Sequence, residues 1–130
     1  MNYSRQREAI ISCLANRKDH PTADMVFESV RQEFPKISLG TVYRNLTLLC
    51  ETGDIMKVAT VKGFDRFDYT TKPHCHFICS ECSQVTDVEA DMESLINKKE
   101  LKNIPGIIDR TDILVYGLCH ECSDNRTPND

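Results

Sequence analysis

Apolar residues recur at helical spacing through the first fifty positions of the chain. Ile10, Cys13 and Leu14 share one face of the segment 4–16. Ala23, Val26, Phe27, Val30 and Phe34 form a cleaner stripe over 22–34, behind Thr22, a residue suited to cap a helix. Pro35 stops that helix and Ser38 is placed to cap a third, which is predicted from Leu39 to about Thr52 with the core stripe Leu39, Val42, Tyr43, Leu46, Leu49 and Cys50. Gly53 then sits where a left-handed residue would end it. Three short helices in a row predict a helix-turn-helix.

The period then shortens. Ile55–Val61 and Arg66–Thr70 are rich in β-formers and flank the turn-forming segment Lys62-Gly63-Phe64-Asp65, so they predict a hairpin and, with the helices, a winged helix. Thr71-Lys72-Pro73 reads as a linker. Beyond it the pattern predicts strands near 75–79 and 84–89, a helix over 91–102, and strands near 106–109 and 112–118, with a polar tail from Ser123 to Asp130 that looks disordered. The predicted class is α+β: a winged-helix domain over 1–70, the linker 71–73, a small α/β domain over 74–122, and the tail 123–130.

Composition narrows the class. The chain has 130 residues, 40% of them hydrophobic, and no apolar run nears the roughly 18 residues of a membrane span. No signal-peptide order opens the sequence, so a cytoplasmic location is expected. Residues 1–68 hold ten Lys/Arg against nine Asp/Glu, whereas 69–130 hold six against eleven. A weakly basic first half is compatible with DNA contact within a chain of net charge −4. Seven cysteines are many for a compartment where disulfides are rarely structural, and they point to metal binding or redox sensing.

Four of those cysteines form two Cys-x-x-Cys pairs, Cys79/Cys82 and Cys119/Cys122. Two such turns can complete a closed tetrahedron around Zn²⁺, which is a structural site. The competing reading is a pair of redox-active dithiols, although neither pair lies in a thioredoxin-like context. A domain of this size, about 55 residues, is expected to need a metal staple or dimerisation. Cys13 and Cys50 fall on apolar helix faces and read as core.

A second constellation is Asp68, His74, His76 and Asp87, with His20 earlier in the chain. In a strand, His74 and His76 point one way and Cys75 the other, so the pair could grip a metal together. Carboxylates would complete a mixed nitrogen and oxygen shell suited to Fe²⁺ or Mn²⁺; surface histidines are the alternative. A third signal lies on the predicted third helix, where Thr41, Arg44 and Asn45 face outward as a recognition helix requires. Lys57, Lys62 and Arg66 on the wing would meet phosphates, and a solvated polar face explains these residues equally well.

Taken together, His20-Pro21-Thr22-Ala23-Asp24, Thr41-Val42-Tyr43-Arg44-Asn45-Leu46, Arg66-Phe67-Asp68, His74-x-His76-x-x-Cys79-x-x-Cys82 and Cys119-x-x-Cys122 resemble the ferric uptake regulator family over nearly the whole chain, and most closely its peroxide-sensing branch. The resemblance implies a homodimeric winged-helix repressor that binds a palindromic operator in double-stranded DNA. Its second domain would be the dimerisation domain. It further implies a structural zinc on Cys79, Cys82, Cys119 and Cys122, and a regulatory Fe or Mn site between the domains on His20, Asp68, His74, His76 and Asp87. The implied DNA contacts are Thr41, Tyr43, Arg44, Asn45, Lys57 and Lys62. Asp87 stands where the iron-sensing branch usually has Glu. The family usually carries a further helix ahead of the segment matching Tyr3–Arg7, and Arg5 stands where it often has proline.

In that family peroxide sensing runs through metal-catalysed oxidation of a ligand histidine, here His20 or His74, and not through the thiols. Three rivals remain: an iron- or zinc-sensing uptake regulator of the same fold, a thiol oxidoreductase using the Cys-x-x-Cys pairs, and a zinc-stapled protein-binding module. No hydrolase constellation is visible, and an enzyme is not expected.

Overall fold

A computed structural model of the chain describes residues 3–124. It divides into two compact units, Met1–Thr71 and Lys72–Asp130.

The first unit opens with α1 (Tyr3–Ala15), α2 (Ala23–Val30) and α3 (Leu39–Glu51). Each of the last two is started by the hydroxyl the sequence offered. Thr22 Oγ1 accepts from the Met25 amide at 3.3 Å, and Ser38 Oγ accepts from the Thr41 amide at 3.1 Å. Such caps satisfy amides that the helix itself leaves unpaired. α2 ends four residues earlier than its apolar stripe suggests, and the chain turns through 31–33 before Phe34 folds back onto the core. Gly53, at φ +81°, closes α3 in the left-handed conformation expected of it.

Ile10 and Leu14 from α1, Val26 and Val30 from α2, and Val42, Leu46 and Leu49 from α3 meet in one buried cluster, with Ile55 and Phe67 beneath them. Tyr43, expected in the core stripe, is instead 43% exposed. The stripe through Val42, Leu46 and Leu49 turns one residue away from it, leaving the phenol on the solvent side.

β1 (Met56–Val61) and β2 (Phe64–Asp68) form the antiparallel wing. Its turn is two residues, Lys62 and Gly63, both at positive φ, rather than the four expected. That conformation matches the twist of the strands, so Phe64 and Asp65 already belong to β2.

The second unit is a three-stranded sheet in the order β4-β3-β5, with β3 (Cys75–Cys79) central, β4 (Val85–Val88) antiparallel to it and β5 (Ile113–Gly117) parallel. Between β4 and β5 the predicted helix over 91–102 divides into α4 (Met92–Leu95) and α5 (Lys98–Leu101). Ile96 is extended and Asn97 caps the second piece through the Lys99 amide, so a residue inside the predicted helix is a helix start. The predicted strand at 106–109 does not form. Both edges of β3 are taken, and Ile107 is 95% exposed. Gly117, at the end of β5, leaves room for the Phe77 ring, which a Cβ there would meet at 3.3 Å.

α6 (His120–Asp124) closes the described chain. Ser123 and Asp124, expected in the tail, belong to this helix, where Ser123 donates back to Cys119 and His120 carbonyls. The rest of the expected tail, 125–130, lies outside the described residues. Among the described residues no helix is long and apolar enough to cross a membrane.

The packing separates two neighbouring substitutions on α3. Leu46→Ala is expected to cost the first unit about 2–5 kcal/mol in chemical denaturation, whereas Tyr43→Ala should cost less than about 1 kcal/mol. Equal losses would show that Tyr43 belongs to the core after all.

Candidate metal centres and DNA-contacting surface

The two Cys-x-x-Cys pairs meet within the second unit. Cys79 ends β3, Cys82 follows in the adjoining turn, and Cys119 and Cys122 flank the start of α6. The turn is fixed by backbone bonds, Ser83 N–H to Cys79 O at 3.0 Å and Cys79 N–H to Gln84 O at 2.9 Å, with Ser83 at φ +67°. Ser80 N–H reaches Gly117 O at 2.8 Å, which carries the sheet pairing from β5 into this turn.

All four sulfur atoms lie within 4.8 Å of one another, and Cys82 and Cys119 Sγ are 3.9 Å apart. A tetrahedral zinc with Zn–S bonds of about 2.3 Å needs sulfurs about 3.8 Å apart, so the four thiols fit that ion and leave no open position. The amides of Cys119 and Cys82 point at Cys79 Sγ from 3.4 and 3.5 Å, and they hold that thiol down to about 6 against its burial. The Cys122 thiol, hydrogen-bonded to Cys119, is pushed up to about 12. His120 is exposed and outside this cluster.

The histidines and carboxylates form a set in each unit. In the second, β3 and β4 pair His76 directly with Asp87. Asp87 Oδ1 lies 3.2 Å from the buried His76 Nε2 and 2.9 Å from His74 Nε2, and the two rings lie 4.0 Å apart between centroids. His74 Nδ1 is 2.7 Å from Lys72 O, a carbonyl that can only accept, so Nδ1 carries a hydrogen there while Nε2 is the ring nitrogen turned to Asp87. This is the outer support that metal-binding imidazoles commonly have. Cys75 is buried and joins neither cluster.

In the first unit, the buried His20 places Nδ1 at 3.5 Å from Asp68 Oδ2. Nitrogen and oxygen donors in this combination fit Fe²⁺ or Mn²⁺. His20 stands at φ +52°, unusual for a residue with a Cβ, and it precedes Pro21, which further narrows its backbone. Holding such a conformation costs on the order of 1–3 kcal/mol. The segment is gripped from both sides. Arg17 bonds the Asp19 carboxylate at 2.9 and 2.7 Å and holds its pKa below the usual carboxylate value, and Arg66 Nη1 donates to His20 O at 3.1 Å.

Arg66 is thus not the outward phosphate contact expected on the wing. Arg66 was not visible as a partner of His20 from the sequence, because the two are 46 residues apart. The basic residue beside Asp68 was the one available signal.

On α3, Arg44 Nη2 donates to Thr41 Oγ1 at 2.9 Å, and Thr41 Oγ1 lies 2.9 Å from Ser38 Oγ. Asn45 uses Nδ2 on its own helix, at Thr41 O, 2.9 Å. Tyr43 and Arg44 are exposed, as are Lys57 on β1 and Lys62 in the wing turn, while Thr41 and Asn45 are half-buried.

The model of the ferric uptake regulator family matches residues 1–106. The chain belongs to the ferric uptake regulator family. Over 119 residues it is 30% identical to the peroxide-responsive repressor PerR of Staphylococcus aureus, covering 92% of this chain and 80% of that relative. The Helicobacter pylori ferric uptake regulator Fur superimposes with a TM-score of 0.81 at 24% identity, over 95% of this chain and 83% of that one. The Campylobacter jejuni peroxide stress regulator does so at 0.77 and 25%, over 92% and 90%. As a member of this family the chain is a metal-responsive transcription regulator, with a four-cysteine site suited to structural zinc and His/Asp donors suited to a regulatory metal.

If the four sulfurs hold zinc, chelation at neutral pH, or Cys82→Ser, should abolish the cooperative unfolding of the second unit and leave that of the first in place, as read by heteronuclear NMR. Zinc affinity should fall as the pH is lowered, since protons compete for the sulfurs. A second unit that keeps its amide spectrum without zinc would exclude a structural role.

Proposed function

We propose that this chain is a homodimeric, DNA-binding transcriptional repressor of the cytoplasm, held in its binding form by Fe²⁺ or Mn²⁺ and released by hydrogen peroxide. One observation carries the reading: the candidate ligands are divided between the units, His20 and Asp68 on the winged helix and His74, His76 and Asp87 on the sheet domain. A metal taking donors from both sets couples the units and so sets the spacing of two recognition helices in a dimer. Operator half-sites lie about 34 Å apart per helical turn, so lost coupling is lost affinity. Metal and DNA then support each other's binding reciprocally.

Several features support the individual parts. The second unit exposes Leu95, Ile104, Ile107, Ile108, Val115 and Tyr116, apolar side chains that a second copy could cover. On α3 the Ser38-Thr41-Arg44 chain orients a guanidinium that can fork onto guanine, and Tyr43 stands exposed beside it. Asn45 spends one of its two amide hydrogens on Thr41 O and keeps the other, with its carbonyl oxygen, for a base. Lys57 and Lys62 are exposed cations on the wing, which suits positioning on phosphates rather than base reading.

Peroxide responsiveness is supported by Asp87 and by the 30% identity to a peroxide-responsive repressor. Ferrous iron held by these residues would activate H₂O₂, which overall takes two electrons from a ligand imidazole, placing one peroxide oxygen on a ring carbon and releasing the other as water. His20 and His74 are the residues proposed to take that oxidation. An oxidised ring loses its donor lone pair, which weakens the hold of its unit on the metal.

The test is affinity for the DNA upstream of its own gene at constant salt, with anaerobically Fe²⁺-loaded and Mn²⁺-loaded protein, before and after a small excess of H₂O₂. Peroxide should abolish binding in the iron form alone, and mass spectrometry should find one added oxygen on a peptide containing His20 or His74. Binding that needs metal but ignores peroxide would make this an uptake regulator. Asp87→Glu should keep metal-dependent binding and lose peroxide responsiveness; unchanged sensitivity would remove Asp87 from the explanation.

A further inference from the structure

Strand β2 holds the chain around His20 at three successive residues. Arg66 Nη1 donates to Asp19 O at 3.4 Å and His20 O at 3.1 Å, and the Phe67 amide donates to Pro21 O at 3.1 Å. Asp68, next along the strand, faces the His20 ring. Strand and segment are therefore in register, with the two backbone grips beside the two candidate ligands. His20 needs this support because its backbone is left-handed at φ +52° in front of a proline, where extended conformations are favoured. A relaxed His20 would return to extended backbone and carry its imidazole away from Asp68.

The contacts of Arg66 explain why an arginine stands here. Its planar head lies near Met25, with Nη1 3.9 Å from Met25 Sδ, and reaches two adjacent carbonyls from that one nitrogen. An apolar side chain of the same length would fill the space without donating. On the opposite side, Arg17 fixes the Asp19 carboxylate and reaches Ser29 Oγ at 3.2 Å, tying the same segment to α2.

We propose that Arg66 is a positioning residue of the regulatory metal site: by bonding the carbonyls of Asp19 and His20 it holds His20 in the strained backbone that aims the imidazole beside Asp68. This rests on the reading of His20 as a metal ligand. Arg66 touches no metal and acts only through His20, as outer partners of metal ligands do, where substitution commonly costs 10–100-fold in affinity.

The experiment is a double-mutant cycle on the full-length, zinc-loaded protein, using Mn²⁺ titration followed by electron paramagnetic resonance. Arg66→Met should weaken Mn²⁺ binding by about 10–100-fold while zinc content and the unfolding midpoint stay close to wild type. Arg66→Lys, which keeps a donor at similar reach, should recover part of the loss. In a His20→Ala background Arg66→Met should change nothing further. Before any Mn²⁺ is added, the His20 ring signals in NMR should shift in Arg66→Met and return towards wild type in Arg66→Lys.

The outcomes separate the two levels of the reading. If His20→Ala leaves Mn²⁺ affinity unchanged, the ligand assignment fails and the positioning role falls with it. If His20→Ala weakens binding but Arg66→Met does not, only the positioning role is overturned. A loss from Arg66→Met that persists undiminished in the His20→Ala background, or one matched by general destabilisation, overturns it too.

Discussion

Four sulfur atoms crowded within 4.8 Å of one another form the constraint on which the second unit depends. Without a cation they cannot all ionise, because each thiolate raises the cost of the next; with one, they become the firmest joint in the domain. The apolar core around them is slight. Cys75, Ile78, Cys79 and Val85 are its buried apolar residues, and neither α4 nor α5 buries any. Burial on that scale does not offset the chain entropy of a domain this small, and coordination of a cation by the four sulfurs is suited to supply the difference.

The first unit solves the same problem by ordinary means. Ile10, Leu14, Val26, Val30, Leu46 and Leu49 interlock, and hydroxyl caps settle where α2 and α3 begin. That rigidity has a use, since it gives β2 a fixed base from which to hold a strained residue. Strain at a candidate ligand persists only where its surroundings over-determine it, and here the surroundings are a strand, two arginines and a proline.

Features carried by neighbouring residues were legible in the sequence. Thr22 and Ser38 announced their helices, the two Cys-x-x-Cys pairs announced the sulfur cluster, and the alternation of a strand set His74 and His76 apart from Cys75. Features that depend on distant partners were not. Arg66 read as one more wing cation because nothing local reveals that it faces His20 O. Asn97 fell inside the helix predicted over 91–102 because nothing local marks its amide as a cap. Residues 106–109 have the composition of a strand, but they join neither sheet, and pairing is a property of the completed fold rather than of a local segment. Tyr43 misled for a related reason: apolar character put it in the stripe, while packing decided which side of α3 faces inward.

The placement of the sulfurs has a further consequence. Cys82 and Cys119 pin the ends of a long intervening segment that contains β4, α4, α5 and β5. Closing a loop of that length removes much of the freedom of the unfolded chain, and the ion that closes it is linked to every conformational equilibrium inside the loop. Zinc affinity is accordingly a reporter on the whole enclosed segment. A substitution far from any sulfur that loosens this segment will register first as a weaker grip on the ion.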